Sequence, residues 1–296
     1  MLGGGLNEGR SLVAFKYKDR PYSHLFRGGK TPDPFALGAM LFAPCVALHR
    51  ALCSMRHLGY ALCALLIICQ GCASTLLVDY RVGHETGKAL VCRPEGDGPF
   101  PAVIYNHGLI VDRAGYQHAS ARGYDLDGFC HALAKDGFLA FVPIRGTGVS
   151  NIPRHAQEVS RAIDYVKTLA EVNPSRIALM GFSRGGLLTL VVGVEREDLK
   201  SLVILAPAPG RGHFAEAVER VPALNVPVLL LVEGSDEEMI LEDFALLKDA
   251  LQAHRKEALI IRYNQGGGHR LFWGVDYYWQ DVRSFLRETL GEAAPR

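Results

Sequence analysis

"RIALMGFSRGGLLTL", Arg176–Leu190, is the stretch whose reading decides the fold. Ile177 to Gly181 has the apolar, β-favouring character of a buried strand, and an apolar helix-like run begins at Arg184. Ser183 sits between Gly181 and Gly185 where the one turns into the other. A serine there is either a nucleophile held on a tight turn or an ordinary helix N-cap. The surrounding elements have to choose.

Outward from this stretch the chain alternates strands and helices. Leu76–Val82 and Lys88–Cys92 read as two strands joined by a Gly-containing turn. Ala102–Tyr105, Phe138–Val142 (closed by Pro143), Leu202–Leu205, Pro227–Val232 and Ala258–Tyr263 read as further strands. Helical spacing marks Leu126 to Ala134, Val159 to Leu169 (stopped by Asn173-Pro174), Ile240 to Leu251 and Val275 to Leu286. Ile110–Tyr124 reads as a long rim loop. Strands apolar throughout, alternating with amphipathic helices, predict an α/β domain with a mostly parallel sheet covered on both faces.

Such a sheet places its site at the carboxyl ends of its strands. The polar residues that fall there are His107-Gly108, Arg145-Gly146-Thr147-Gly148, Ser183, Asp236 and His269. Gly181-Phe182-Ser183-Arg184-Gly185 matches G-x-S-x-G, and a serine, an acid and a histidine follow in that chain order. On these residues the sequence resembles the serine α/β-hydrolases of the dienelactone-hydrolase-like branch, from about Leu76 to the C-terminus. The resemblance implies an α/β-hydrolase fold with a minimal cap. It implies Ser183 as nucleophile, His269 as base and Asp236 as the acid that orients it. It implies Gly181 and Gly185 as the elbow glycines, and the backbone N–H groups of Leu109 and Arg184 as the oxyanion hole. Glu233 and Glu237 are rivals to Asp236. The branch proper uses a cysteine nucleophile, so here the likeness speaks for fold and not for substrate.

The insert Ala208–Asn225 is short, which suits small or accessible esters in an open pocket. A peptidase or amidase of the same fold is the alternative, and a non-catalytic binding protein a third. Arg184 faces either a substrate carboxylate or solvent. His118, His131, His155 and His213 read as surface residues. No H-E-x-x-H occurs, so no metal and no other cofactor is expected. The formal net charge of +1 over 296 residues, with mixed signs along the chain, argues against a nucleic-acid partner.

Five of the seven cysteines, Cys45, Cys53, Cys63, Cys69 and Cys72, fall in the first quarter. No disulfide framework is suggested, and Cys92 and Cys130 read as buried thiols. "MRHLGYALCALLIICQGCAS", from Met55, has a short basic head, an apolar core too short for the ~20 residues of a membrane helix, and small residues after it. Its end resembles the lipobox of bacterial lipoproteins, with Cys69 where a leucine usually stands. The resemblance implies lipidation of Cys72, export, and a membrane surface as partner through that anchor. An unlipidated chain secreted after cutting near Ala73 or Ser74 is the alternative. The expected organisation is a disordered or untranslated stretch over 1–54 with Met55 as the start, a signal segment over 55–72, and a catalytic domain over 73–296.

Overall fold

The computed structural model describes residues 15–20, 75–82, 84–147 and 151–291. The signal-like segment and Cys72 lie outside them. All the described residues belong to one compact unit.

The unit is built on one sheet. Its strands are β1 (Phe15–Arg20), β2 (Leu76–Val82), β3 (Glu85–Cys92), β4 (Phe100–Asn106), β5 (Leu139–Ile144), β6 (Val172–Phe182), β7 (Ser201–Leu205), β8 (Val228–Glu233) and β9 (Ala258–Tyr263). They lie in the order β1-β9-β8-β7-β6-β4-β5-β3-β2. β3 runs antiparallel to both β2 and β5, and every other neighbouring pair is parallel. Between them stand the helices α1 (Leu109–Ala114), α2 (Tyr116–Ala121), α3 (Leu126–Lys135), α4 (Ile152–Thr168), α5 (Arg184–Gly193), α6 (His213–Val218), α7 (Glu238–Ala253) and α8 (Trp279–Leu290). This is the α/β-hydrolase architecture expected from the sequence.

The apolar runs explain the layers. β4, β7 and β8 are buried along their whole length, which requires cover on both faces. α4, α5, α6 and α7 pack side by side in one layer. α3 and α8 meet through the rings of Phe129 and Trp279, 5.9 Å apart. The insert between β7 and β8 holds only α6 and two 3-10 turns, so the cap is minimal as expected.

Several local expectations are corrected. Residues 15–20, inside the stretch expected to be disordered or untranslated, form β1 at the sheet edge. Ile110–Tyr124 is not an open loop: two short helices lie there, divided at Gly115, whose φ is +85°. Pro143 lies inside β5 and not beyond it, where it pairs with Ala89 on β3. β6 begins at Val172 and so includes Asn173-Pro174. His155 is buried on the inward face of α4, not exposed.

The largest correction concerns the cysteines. Cys92 and Cys130 are a disulfide and not two buried thiols. β3 and α3 bring the two Cα atoms to 5.5 Å, inside the range that a bridge spans. Thirty-eight residues separate the pair in sequence, a distance over which pattern reading sees nothing. Closing that loop constrains the unfolded chain, a contribution of about 2–4 kcal/mol. Urea unfolding of the Cys92→Ser/Cys130→Ser variant should show a loss in that range, and reductant should destabilise the wild type and not the variant.

Candidate active site

The site begins with a steric demand. A Cβ at Gly185 would stand 1.9 Å from the carbonyl oxygen of Asn106, and one at Gly181 would stand 2.2 Å from the carbonyl oxygen of Gly185. Only glycine permits either approach. The first turn of α5 therefore sits directly on the end of β4, and the chain must reverse within one residue. That residue is Ser183, with φ 55° and ψ −117°. A non-glycine at positive φ carries backbone strain, and here the surroundings enforce it. The Ser183 N–H donates to the carbonyl of Leu205, and its own carbonyl accepts from Leu187 and Ala208. Its side chain makes no cap to α5, so the N-cap reading of this serine fails.

His269 stands in a turn after β9, preceded by Gly266, Gly267 and Gly268, all at positive φ. Its ring lies on that of Phe182, the residue before Ser183, with centroids 4.6 Å apart. Its Nδ1 is 3.1 and 3.0 Å from the two oxygens of Asp236, which follows β8. The Asp236 carboxylate is buried and its Oδ1 also accepts from the Glu237 N–H at 2.8 Å. An anionic acceptor at Nδ1 fixes the tautomer with Nε2 turned away from the acid. Among the described residues the Ser183 hydroxyl makes no hydrogen bond to His269.

The rival carboxylates have other occupations. Glu237 caps α7. Glu233 ends β8 and accepts from Ser235 N–H at 2.6 Å, the Ser235 hydroxyl, Gln265 N–H at 3.1 Å and Gly266 N–H at 3.0 Å. One carboxylate thus ties the loop that carries Asp236 to the loop that carries His269. Burial pushes the Glu233 carboxyl upward, but these donors outweigh it and hold it below the usual carboxylate range.

Sequence reading missed a buried polar cluster beside the elbow. Arg145 Nε donates to Asp112 Oδ1 at 2.9 Å, and its Nη2 donates to Asp112 Oδ2 at 3.1 Å and to the His107 carbonyl at 2.6 Å. The Arg145 backbone N–H donates to His107 Nε2 at 3.2 Å. Burial, helped by Arg145, pushes His107 down to about 3, so its ring is neutral. Burial also pushes His155 down to about 4. Asp112 is raised by burial, but Arg145 and His107 pull it net below its ordinary value. Arg184 is neither solvent-facing nor open to a substrate on every side: it is buried, with Nη1 3.8 Å from Asp112 Oδ2. The only sequence hint of this cluster was that His107 and Arg145 both follow strands.

Leu109 and Arg184 are each the first residue of a helix, where the backbone N–H has no partner inside the helix. The two helices start side by side, since a Cβ at Gly108 would be 3.7 Å from Ser183 Cβ. A groove of about 330 Å³ lies between Asn151, Pro153, Arg184, Arg211 and His213, and Ser183, Asp236 and His269 do not line it. Among the described residues no group of three or more His, Cys, Asp or Glu side chains has the arrangement of a metal site.

Residues 145–272 match the family model described as the dienelactone hydrolase family. An Escherichia coli (strain K12) protein named "Putative carboxymethylenebutenolidase" is 25% identical over 197 residues, 58% of this chain and 68% of its own. The dienelactone hydrolase from Anabaena variabilis superposes with a TM-score of 0.51 at 20% identity, over 73% of this chain and 96% of its own. The acylaminoacyl peptidase from Pyrococcus horikoshii superposes with a TM-score of 0.59 at 13% identity, over 77% of this chain. The chain spans only 44% of that peptidase's length. The match from 145 to 272 takes in the elbow, Asp236 and His269.

The Glu233 clamp has a measurable pH signature. Its folded pKa lies below the unfolded value of about 4.3. Its stabilisation is then complete above that value and is lost as pH falls through and below it. Glu233→Gln should flatten the acid limb of the stability–pH curve below about pH 5. An unchanged acid limb would mean that the carboxylate's charge does not hold the two loops.

Proposed function

We propose that this protein is a serine hydrolase that cleaves small or accessible carboxylic esters through an acyl-enzyme. The observation that carries the proposal is the Asp236–His269 hydrogen bond, with the histidine ring lying against the residue next to a strained Ser183. In this reading His269 Nε2 takes the Ser183 proton as Oγ attacks the ester carbonyl carbon. The proton passes to the departing alkoxide when the tetrahedral intermediate collapses. Water then repeats the sequence on the acyl-enzyme and regenerates Ser183. Asp236 stabilises the imidazolium formed between the two transfers. The N–H groups of Leu109 and Arg184 receive the developing oxyanion.

The β7–β8 insert is brief, which supports small esters or chain ends of larger ones. The likeness in fold to an acylaminoacyl peptidase supports amide cleavage as the second reading. Turnover of acyl esters of graded length, set against aminoacyl amides, decides between them.

A fluorophosphonate should label Ser183, and Ser183→Ala should lose the label while keeping the fold. Asp236→Asn preserves shape but supports the wrong histidine tautomer, and kcat should fall by roughly 10⁴-fold. Glu233→Gln should leave kcat within about tenfold at neutral pH. The reverse ranking of the two acids would reassign the triad.

We further propose that the protein is exported, with its mature chain beginning at or just after Cys72. The Cys92–Cys130 bridge supports an oxidising compartment. Intact mass after expression in a bacterial host tests this. Lipid mass on Cys72 is the expected result, an unlipidated chain starting near Ser74 would leave export alone standing, and a chain retaining residues 1–54 would overturn both.

A further inference from the structure

Two struts hold the turn that presents the Leu109 N–H, and neither belongs to the triad. The first is Arg145. Its guanidinium donates to the His107 carbonyl at 2.6 Å while its backbone N–H donates to the His107 ring at 3.2 Å. The His107 ring in turn has Nδ1 3.1 Å from the Gly108 carbonyl. The same Nδ1 also lies 2.9 Å from Arg145 Nη2, so both ring nitrogens of His107 face Arg145. Arg145 is itself fixed by both oxygens of Asp112, and all three side chains are buried. The second strut is Tyr124. Its hydroxyl accepts the Gly108 N–H at 3.0 Å and contacts the Tyr105 hydroxyl at 3.1 Å, and both rings are fully buried.

The consequence is a division of labour along three residues. The carbonyls of His107 and Gly108 and the N–H of Gly108 are engaged inside the protein. The next N–H, that of Leu109, leads α1. Gly108 itself packs against the elbow, since a Cβ there would meet the Phe182 ring at 3.1 Å and Ser183 Cβ at 3.7 Å. A shift of this turn would therefore move the Leu109 donor relative to the serine.

We infer that Arg145 and Tyr124 are positioning residues that set the Leu109 N–H at the oxyanion, one gripping His107 and the other gripping Gly108. The inference rests on the serine-hydrolase reading above. Both side chains are buried beneath the turn. Their effect is confined to interactions that strengthen as negative charge develops on the carbonyl oxygen, which raise kcat more than they lower KM. A displacement of about 1 Å from a residue away from the chemistry can cost 10²-fold.

Tyr124→Phe deletes one oxygen from a buried ring and is the variant least prone to misfold. Arg145→Lys keeps the charge but cannot span Asp112 and the His107 carbonyl together. Both should lower kcat by 10- to 100-fold with KM within about threefold. A boronic acid or trifluoromethyl ketone, which forms an oxyanion on Ser183, should lose affinity by the same factor as kcat/KM. Binding of the neutral product should not change, and the pH dependence of kcat/KM should keep its midpoint, since the Asp236–His269 pair is untouched. A purely structural role would instead lower thermal stability with the kinetic constants of the folded fraction unchanged. If Ser183 takes the fluorophosphonate and Tyr124→Phe retains wild-type kcat and inhibitor affinity, the inference is overturned while the serine-hydrolase reading stands. If Ser183 is never labelled, that reading falls and the inference with it.

Discussion

The contact between α5 and the end of β4 is the constraint on which the site depends. Gly185 lies so close to the Asn106 carbonyl that a single Cβ would overlap it. Because the helix cannot back away, the turn from β6 must be made at Ser183, in a conformation most side chains avoid. The same contact brings the β4–α1 turn against the elbow, so the two helix starts meet at one point. Strain at the serine and the closeness of the two helix starts have one cause. The strain of such a residue is of order 1–3 kcal/mol, and the three backbone hydrogen bonds of Ser183 are of the right size to offset it.

Burial of charge follows from this geometry. The elbow and the turn beside it leave little space for water, yet Asp112, Arg145 and Arg184 lie within their shell. Asp112 is held by a bidentate guanidinium, and Arg184 stands 3.8 Å from its Oδ2. Removing one member of such a cluster strands the others without solvent, a loss of about 3–5 kcal/mol in comparable buried pairs. Glu233 is handled differently. Its carboxylate faces four donors from two loops, and no cation is bonded to it among the described residues. The loop of Asp236 and the loop of His269 are thus coupled through an anion and the donors around it, which fixes their spacing more directly than a side-chain ion pair would.

What the sequence reveals and what it conceals divide along physical lines. The strands and the longer helices are legible because burial imposes periods of 2 and 3.6 on apolar residues, and the parallel sheet follows from runs that are apolar throughout. The order Ser183, Asp236, His269 is legible because the topology puts strand ends together. The partnership of Cys92 with Cys130 is not, since it depends on how α3 settles against β3. Nor are Asp112 and Tyr124, which sit among polar residues that mimic a solvated loop and yet are buried in the folded chain. His155 hides for the same reason: one polar residue on an amphipathic helix carries no mark of which way it faces. β1 escapes because its six residues, Phe-Lys-Tyr-Lys-Asp-Arg, read as a charged segment, and pairing with β9 is what makes them a strand.

β1 also bears on how far the site depends on the N-terminal residues. Its last residue, Arg20, donates to Asp281 at 2.6 Å, and its carbonyl accepts from the N–H of Asn264 at 3.2 Å. Asn264 begins the loop that ends at His269. A chain processed at Cys72 would lack these contacts, and β9 would become the edge of the sheet. Two observations limit the effect on the site. Asp281 keeps the Tyr263 hydroxyl as a donor at 2.8 Å. The loop beyond Asn264 keeps both of its bonds to Glu233, through Gln265 and Gly266, and the Gly234 N–H still donates to Tyr263 at 2.6 Å. The Asp236–His269 pair is therefore anchored from within β8 and β9. The Arg20 pair, with the arginine side chain 41% exposed to water, is of the kind that contributes about 1 kcal/mol or less. Loss of β1 exposes an edge, which solubility has to answer for, while the geometry of the acid and the histidine rests on residues downstream of position 73.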